Sequence, residues 1–376
     1  MTTTSVTPPM KRTRRRLPRL VTVGAGVAAT VLTLNACGSD SSDGAGSGGG
    51  GGDGLEGATI VVSTFPFGVE DFEANIVEPF EQATGATVEI ESGSNADRLT
   101  QLQLAAGDPG IDVMLISDTF AALGQDQGLF QEFGAEEVPN LDAIAEFAVD
   151  DAYAGPAYTY QLNGVLYRTD ELSAEEAADW GTFGDPALAG RVALPDISAT
   201  AGQLTASGIG EQFGDGPYDM DTAFGTMGDW APDVLQFYSS TTEVTNLISQ
   251  GEIAAVPTIS AFVPPLIAAG EPVNWVPPAE GRYMATNRLM IPDGAPNTEG
   301  AYAFIDYMLS VEGQQASVES DLPVNPDVAP SETFAELMGE AATDPVAAGY
   351  QTLDPQQLVD NRTEWVERFA REVSGG

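Results

Sequence analysis

The sequence predicts an α/β protein of two lobes joined by two chain crossings. Three observations carry this expectation. Short β-branched runs alternate with segments of helical period from residue 58 onward. The alternation weakens after Asp150 and resumes at Gly164. A third block, opening near residue 285, follows two blocks of about 100–120 residues each, a usual domain size. No internal repeat competes with this reading.

Ala58–Ser63 is a compact run suited to a buried parallel strand. Phe72, Ile76, Val77 and Phe80 then recur at helical spacing, and Gly85 is placed to end that helix in a left-handed C′ position. Thr87–Ile90 is the second strand, Asp97–Ala106 a Leu-rich helix closed by Gly107-Asp108-Pro109, and Ile111–Ile116 the third strand, followed by a short helix over Phe120–Gly124. Such alternation implies right-handed βαβ units and mostly parallel sheets. Further on, Gly164–Arg168, Arg191–Leu194, Val234–Tyr238, Ile253–Val256 and Met284–Ile291 read as strands. Helices are predicted over Thr242–Gln250 and Asn297–Leu309, and over Gln356–Val373 with Leu358, Trp365 and Phe369 on one face.

The first 57 residues read as address and tether. Lys11 to Arg19 form a positive n-region, and Leu20–Leu34 is an apolar stretch too short to span a bilayer comfortably but suited to a secretory h-region. It runs into Leu34-Asn35-Ala36-Cys37, which resembles a bacterial lipobox, so residues 1–36 are expected to be a cleaved signal peptide and Cys37 the lipidated residue. Two acyl chains on Cys37 would anchor the protein stably to the outer face of the cytoplasmic membrane. Gly38–Gly54 is almost free of apolar side chains and reads as a flexible linker, so residues 37–57 form the tether.

Composition excludes much chemistry. There is no histidine and Cys37 is the only cysteine, which removes His-based triads, His metal sites, Cys–His nucleophiles and intramolecular disulfides. The chain from Cys37 onward has no lysine, so a Ser–Lys dyad fails as well. A carboxylate pair stays open among 56 acids, yet nothing marks one out. Adjacent tyrosines of the kind that capture ferric ion are absent. The expectation is a chain with no catalytic residues, no cofactor and no metal. Net charge is −42, and six of the fourteen basic residues lie within the first nineteen positions, which argues against nucleic acid as a partner.

Five passages carry a family resemblance. Pro79–Val88 resembles an "F-x-x-x-T-G-x-x-V" helix-to-strand passage, and Leu102–Val113 a Leu-rich helix end followed by Gly and then Asp-Val. Leu247–Ala255 is similar to an "L-x-x-x-G-E-V" strand entry, with Ile253 for the Val. Pro292–Leu309 and Leu322–Pro326 look like the family's "N-x-E-x-A-x-x-F-I" helix and its closing "x-P-x-N" turn. In this order they resemble the extracellular solute-binding proteins of ABC importers, in the spermidine/putrescine-binding-protein-like branch. The resemblance covers roughly residues 58–330. It implies a type II periplasmic-binding fold that closes by hinge bending on a ligand held between its lobes. It also implies a membrane permease that receives the ligand, with the binding protein expected to act as a monomer. On this reading residues 58–157 start lobe 1, 158–284 form lobe 2, 285–330 return to lobe 1, and 331–376 are helices packed on the lobes.

Polyamine binders of this branch use aromatic walls and carboxylates for ammonium groups. Transferred position by position, the resemblance puts Phe65 and Phe67 in the first loop, as walls or as lobe-surface packing. Asp118, Thr119 and Phe120 follow the third strand, with Asp118 either a cation partner or a helix cap. Tyr158 and Tyr160 fall on the first crossing. Thr200 stands where a Glu is usual, with Asp196 or Ser198 as substitutes. Thr258 and Ser260 fall in a loop whose Trp is replaced by Pro257. Tyr283, Asn287 and Arg288 lie on the returning strand, with Ala285 and Asn287 where a Trp and an amine-binding Asp would be. An amine or zwitterion is therefore expected. The alternative is an anion or phosphonate held by Arg282 and Arg288, whose other reading is pairing with surface acids.

The surplus of carboxylates reads as adaptation to a saline exterior, or simply as a preference for acidic surfaces. The saline reading predicts that the melting temperature rises steadily as salt is added from low ionic strength; a melting temperature indifferent to salt rejects it.

Overall fold

The computed structural model describes residues 54–105 and 107–375. The predicted signal segment, Cys37 and nearly all of the Gly-rich linker lie outside the described residues. The strands in chain order are β1 (Thr59–Thr64), β2 (Thr87–Ser92), β3 (Val113–Ser117), β4 (Phe130–Gln131), β5 (Ala157–Arg168) and β6 (Ala193–Pro195). They continue with β7 (Gln236–Tyr238), β8 (Ala255–Ile259), β9 (Val273–Val276), β10 (Tyr283–Pro292), β11 (Leu322–Pro323) and β12 (Gln351–Thr352).

The alternation seen in the sequence gives parallel pairs: β1 runs parallel to β2 and β3, and β6 parallel to β7. One long strand, β5, runs through both sheets, and the chain returns from β9 to the first sheet at the start of β10. In the first lobe the order is β2-β1-β3-β10-β5-β11, with β10 antiparallel to both β3 and β5. Beyond Leu162, β5 leaves this sheet and enters the second, where Asn163–Tyr167 pair with β8 and Val165–Arg168 with β9, both antiparallel. A bridge from Val192 to Ala255 attaches the β6-β7 pair to β8. A single apolar cluster runs from Ile60, Val62 and Phe80 through Tyr160 and Leu162 to Trp180, Phe224 and Ile248.

The helices follow local chemistry. The chain is helical from Val69 to Thr84, with a π-helical turn over Glu73–Val77, and stops at Gly85, whose φ of 71° is the left-handed cap expected of it. The helix Asp118–Asp126 begins directly after β3. The final helix, Pro355–Glu372, is capped by the Asp354 carboxylate, which accepts from Gln356 N, and it buries Leu358, Trp365 and Phe369. Phe369 meets Phe224 and Phe237 edge-on at 5.8 and 5.6 Å.

Five helices were not anticipated: the long Thr200–Phe213 and Met220–Trp230, and the short Ala174–Ala177, Pro264–Ala268 and Val311–Ser317. Ala201 to Gly210 are all buried, so the first of these has no polar face and no amphipathic period to read. Strand β9 is likewise too short to stand out.

Gly164 sits where β5 passes from one sheet to the other, and the indole of Trp275 lies directly on its Cα, leaving no room for a Cβ. Gly164→Ala is expected to destabilise the protein by about 1–3 kcal/mol through overpacking, read as a lower urea midpoint with an unchanged slope.

Candidate functional site

The end of β1 is locked from below by a buried arginine. Arg98, on the helix Asn95–Ala105, is 3 % exposed. Its Nε donates to Gly93 O at 2.9 Å, its Nη1 to Leu115 O at 2.7 Å and more weakly to Ser63 O at 3.3 Å, and its Nη2 to Asn95 Oδ1 at 2.8 Å. One guanidinium thus ties β1 and β3 to the loop after β2. Burial lowers it to about 10, so it remains charged at neutral pH. Above it, the guanidinium carbon lies 5.1 Å from the Phe65 ring, and Phe65 stacks on Phe67 with centroids 5.5 Å apart.

These two phenyl rings open a cavity of about 210 Å³ between the lobes. Phe72, Asn75 and Ile76 line one wall from the helical stretch that contains the π turn, and Phe262 closes the cavity from the second lobe, 6.5 Å from Phe67. The floor is made by Tyr158 and Gln161 of β5 and Asn287 of β10. Ser317, Ser320 and Asp321 complete it from the turn before β11.

The floor depends on a β-bulge. Asn287 pairs with Thr159 and Arg288 with Ala157, so Tyr158 is the extra residue. In a regular strand Tyr158 would share a face with Tyr160. The bulge turns it toward the cavity with Gln161 and Asn287. Burial pushes the Tyr158 phenol well up, with a further rise from the Asp321 charge.

The structure brings four predicted site residues together at this cavity: Phe65, Phe67, Tyr158 and Asn287. The others do not line it. Asp118 is the first residue of its helix and is buried; its carboxylate accepts from Thr119 N at 2.7 Å and from Thr286 N of β10 at 2.8 Å. It thus ties the helix start to β10 rather than lining the cavity, and it does not cap the helix, whose N-cap position is Ser117. Burial raises its pKa, against those bonds and the Arg288 charge. Thr119 donates to Gln203 Oε1 at 3.0 Å, linking the lobes by one buried hydrogen bond. Phe120 lies under the Arg362 guanidinium at 5.1 Å. Tyr160 points to the opposite face and donates to Ala341 O at 3.0 Å. Ser198 closes a turn on Asp196 Oδ1 at 2.6 Å, and Thr200 merely opens the following helix. Thr258 is buried in β8, Ser260 accepts from Leu162 N at 3.1 Å, and Tyr283 donates to Glu211 Oε2 at 3.1 Å.

Arg288 is corrected by strand alternation, since it follows Asn287 and so faces away from the cavity. It is fully buried, stacks on Tyr153 at 3.5 Å and donates to Gly155 O at 3.0 Å. Arg282 spends its donors on Pro278 O and Ala348 O at 3.0 and 2.9 Å. Arg168, Arg191, Arg368 and Arg371 pair with carboxylates elsewhere. None of the eight arginines of the described residues lines the cavity, whose ionisable side chains are Asp71, Tyr158 and Asp321.

Sequence reasoning missed Gln161, Phe262 as the wall from the second lobe, and Asp321. The resemblance quoted the 322–326 turn as a closing motif, and its neighbour Asp321 carried no signal of its own. No group of three or more potential metal-ligating side chains occurs among the described residues.

With this geometry in view, comparison with known proteins decides the family. Residues 75–342 match the family model described as bacterial extracellular solute-binding protein. The chain belongs to that family. It is 25 % identical over 277 residues to spermidine/putrescine-binding periplasmic protein 1 of Haemophilus influenzae, covering 72 % of this chain and 76 % of that protein. It is also 25 % identical over 284 residues to the putrescine/cadaverine-binding protein of Pseudomonas aeruginosa, covering 70 % and 78 %. A crystal structure of an ABC transporter from Clostridium perfringens superposes with a TM-score of 0.71 at 27 % identity, covering 84 % of this chain and 99 % of that one. The protein is accordingly an extracytoplasmic solute-binding component of an ABC transporter, and it is not an enzyme.

Replacing Arg98 by Met keeps the apolar stem but leaves several carbonyls of the β1 and β3 ends without a donor. The expected loss is about 3 kcal/mol, measured by chemical denaturation, with the Phe65 loop the first segment to lose protection in hydrogen exchange.

Proposed function

We propose that the protein captures an organic amine, a polyamine or a close zwitterionic relative, in the interlobe cavity and delivers it to a membrane permease while tethered through a lipid on Cys37. One observation supports the ligand class above the rest. The cavity combines aromatic walls with two carboxylates and no cationic side chain. Phenyl faces attract a desolvated ammonium and cover the methylenes beside it. Carboxylates then supply charge-assisted hydrogen bonds. An anion would meet only like charge here, because the arginines that could hold it are committed elsewhere.

The polyamine names of the curated relatives point to the same class. The acids and indoles expected of such relatives are missing at Thr200, Pro257, Ala285 and Asn287, so the match is to the class of ligand and not to one polyamine. Capture by closure follows from the walls: Phe262 arrives from the second lobe and Phe65 and Phe67 from the first, so a ligand touching both favours the closed arrangement. The Thr119–Gln203 bond adds to that arrangement without contacting the cavity.

The test is a thermal-shift screen of the purified full chain against polyamines, betaines, amino acids, organic acids, phosphonates and sugars. A ligand at a hundredfold over Kd adds about 2.7 kcal/mol, a shift of a few degrees. Amines are expected to be the stabilising class, and Phe65→Ala to weaken them about tenfold. Stabilisation confined to anions would reject the proposal.

A further inference from the structure

We propose that Asp321 is the cation anchor of the cavity, the carboxylate that selects an ammonium-bearing solute and makes its capture dependent on pH. This rests on the amine reading above and assigns the recognition to one residue that the family resemblance does not supply.

The argument is one of position. Asp71 is exposed at the mouth, on the helical wall, where water screens it. Asp321 is half-buried on the turn before β11, where it lines the cavity beside the bulged Tyr158 and Asn287. Its neighbours are neutral. Ser320 Oγ lies 3.5 Å from its Oδ2, and the Thr159 hydroxyl approaches it from β5. Among the described residues it takes part in no ion pair. Both hydroxyls have shorter bonds to backbone carbonyls, Thr159 to Leu322 O at 3.0 Å and Ser320 to Ser317 O at 3.1 Å. A carboxylate kept partly from water and facing aromatic walls therefore lacks a strong partner that a ligand cation can supply. Asn287, at the position of the expected acid, stands across from it on the same floor, so the charge has moved from the returning strand to the following turn.

The pH dependence has a definite sign. Burial pushes the Asp321 carboxyl up to about 6, and the Thr159 and Ser320 hydroxyls hold it from rising further. The ionisable groups lining the cavity with it are Tyr158 on β5 and Asp71 on the opposite wall, with Arg98 behind Tyr158. Glu319, two residues before it, and Glu312, on the helix Val311–Ser317, are exposed and outside the cavity lining. A raised carboxyl pKa means that the ligand-free protein loses stability as pH climbs from the unfolded value through 6. A bound ammonium relieves that cost, so affinity is full above 6 and falls as Asp321 protonates below it.

The experiment uses three probes of one length: 1,4-diaminobutane, 1,4-butanediol and succinate. Each is titrated by calorimetry into the purified full chain at pH 7.5 and 5.0. The diamine keeps its charge across this range, so the protein supplies the pH dependence. Wild type is expected to bind the diamine and neither of the others, and to lose about tenfold in affinity at pH 5.0. Asp321→Asn is expected to lose at least tenfold at pH 7.5, to show no step between the two pH values, and to melt no lower than wild type without ligand. Asp321→Glu should keep the pH step, and Glu312→Gln, outside the cavity, should match wild type. If Asp321→Asn binds the diamine as wild type does, or Asp321→Glu loses the pH step, the assignment of Asp321 is overturned while the amine reading stands. If wild type itself ignores the diamine and takes succinate, both fall.

Discussion

Everything in this protein hangs on the antiparallel pairing of β5 with β10. β5 runs from the first sheet into the second, and β10 begins where the chain returns from β9 to the first lobe. Because strand alternation is strict, each residue on them is committed either to the cavity floor or to the packed interior behind it. Asn287 and Gln161 go one way; Thr286, Arg288 and Tyr160 go the other. A single bulge adds Tyr158 to the floor. The cavity floor is therefore a property of register, held by backbone hydrogen bonds between β5 and β10.

Electrostatics follow from scarcity. The described chain has eight guanidiniums to set against its many acids, and each has structural work. Arg98 binds strand ends, Arg282 holds the segment near Ala348, Arg288 fills a buried site over Tyr153, and Arg362 covers Phe120. The cavity is left with carboxylates and phenyl faces. No carboxylate of that cavity stands where the family resemblance would put one.

Arg98 and Phe65 show how the scaffold and the site share parts. The guanidinium that closes the ends of β1 and β3 also supports the phenyl ring that walls the cavity. The loop after β1 is consequently placed by a buried polar network in which every donor group has a partner, a stiffer support than apolar packing alone. On the far side, Phe262 reaches the same cavity from a turn on the second lobe, so the aromatic wall is complete only when the lobes are together.

Much of the fold was legible from residue order: the early β-α alternation, the Gly85 stop, the apolar face of the last helix, and the absence of histidine, and of lysine from Cys37 onward, that closes off most catalytic schemes. The all-buried helix Thr200–Phe213 was not, because a segment covered on every side has no period to read. At the site, the aromatics Phe65, Phe67 and Tyr158 and the amide of Asn287 could be placed by motif, since loops after strands and crossing strands meet in such folds. Asp118, Thr119 and Arg288 could not be judged that way, because a buried strand tie, a buried arginine and a ligand contact use the same side chains. Composition and local pattern determined which elements form and which chemistries are unavailable, since both depend on near neighbours and on residue type. Only the tertiary structure decided which side chains face the cavity, because a one-residue bulge and the pairing of strands more than a hundred residues apart set that direction.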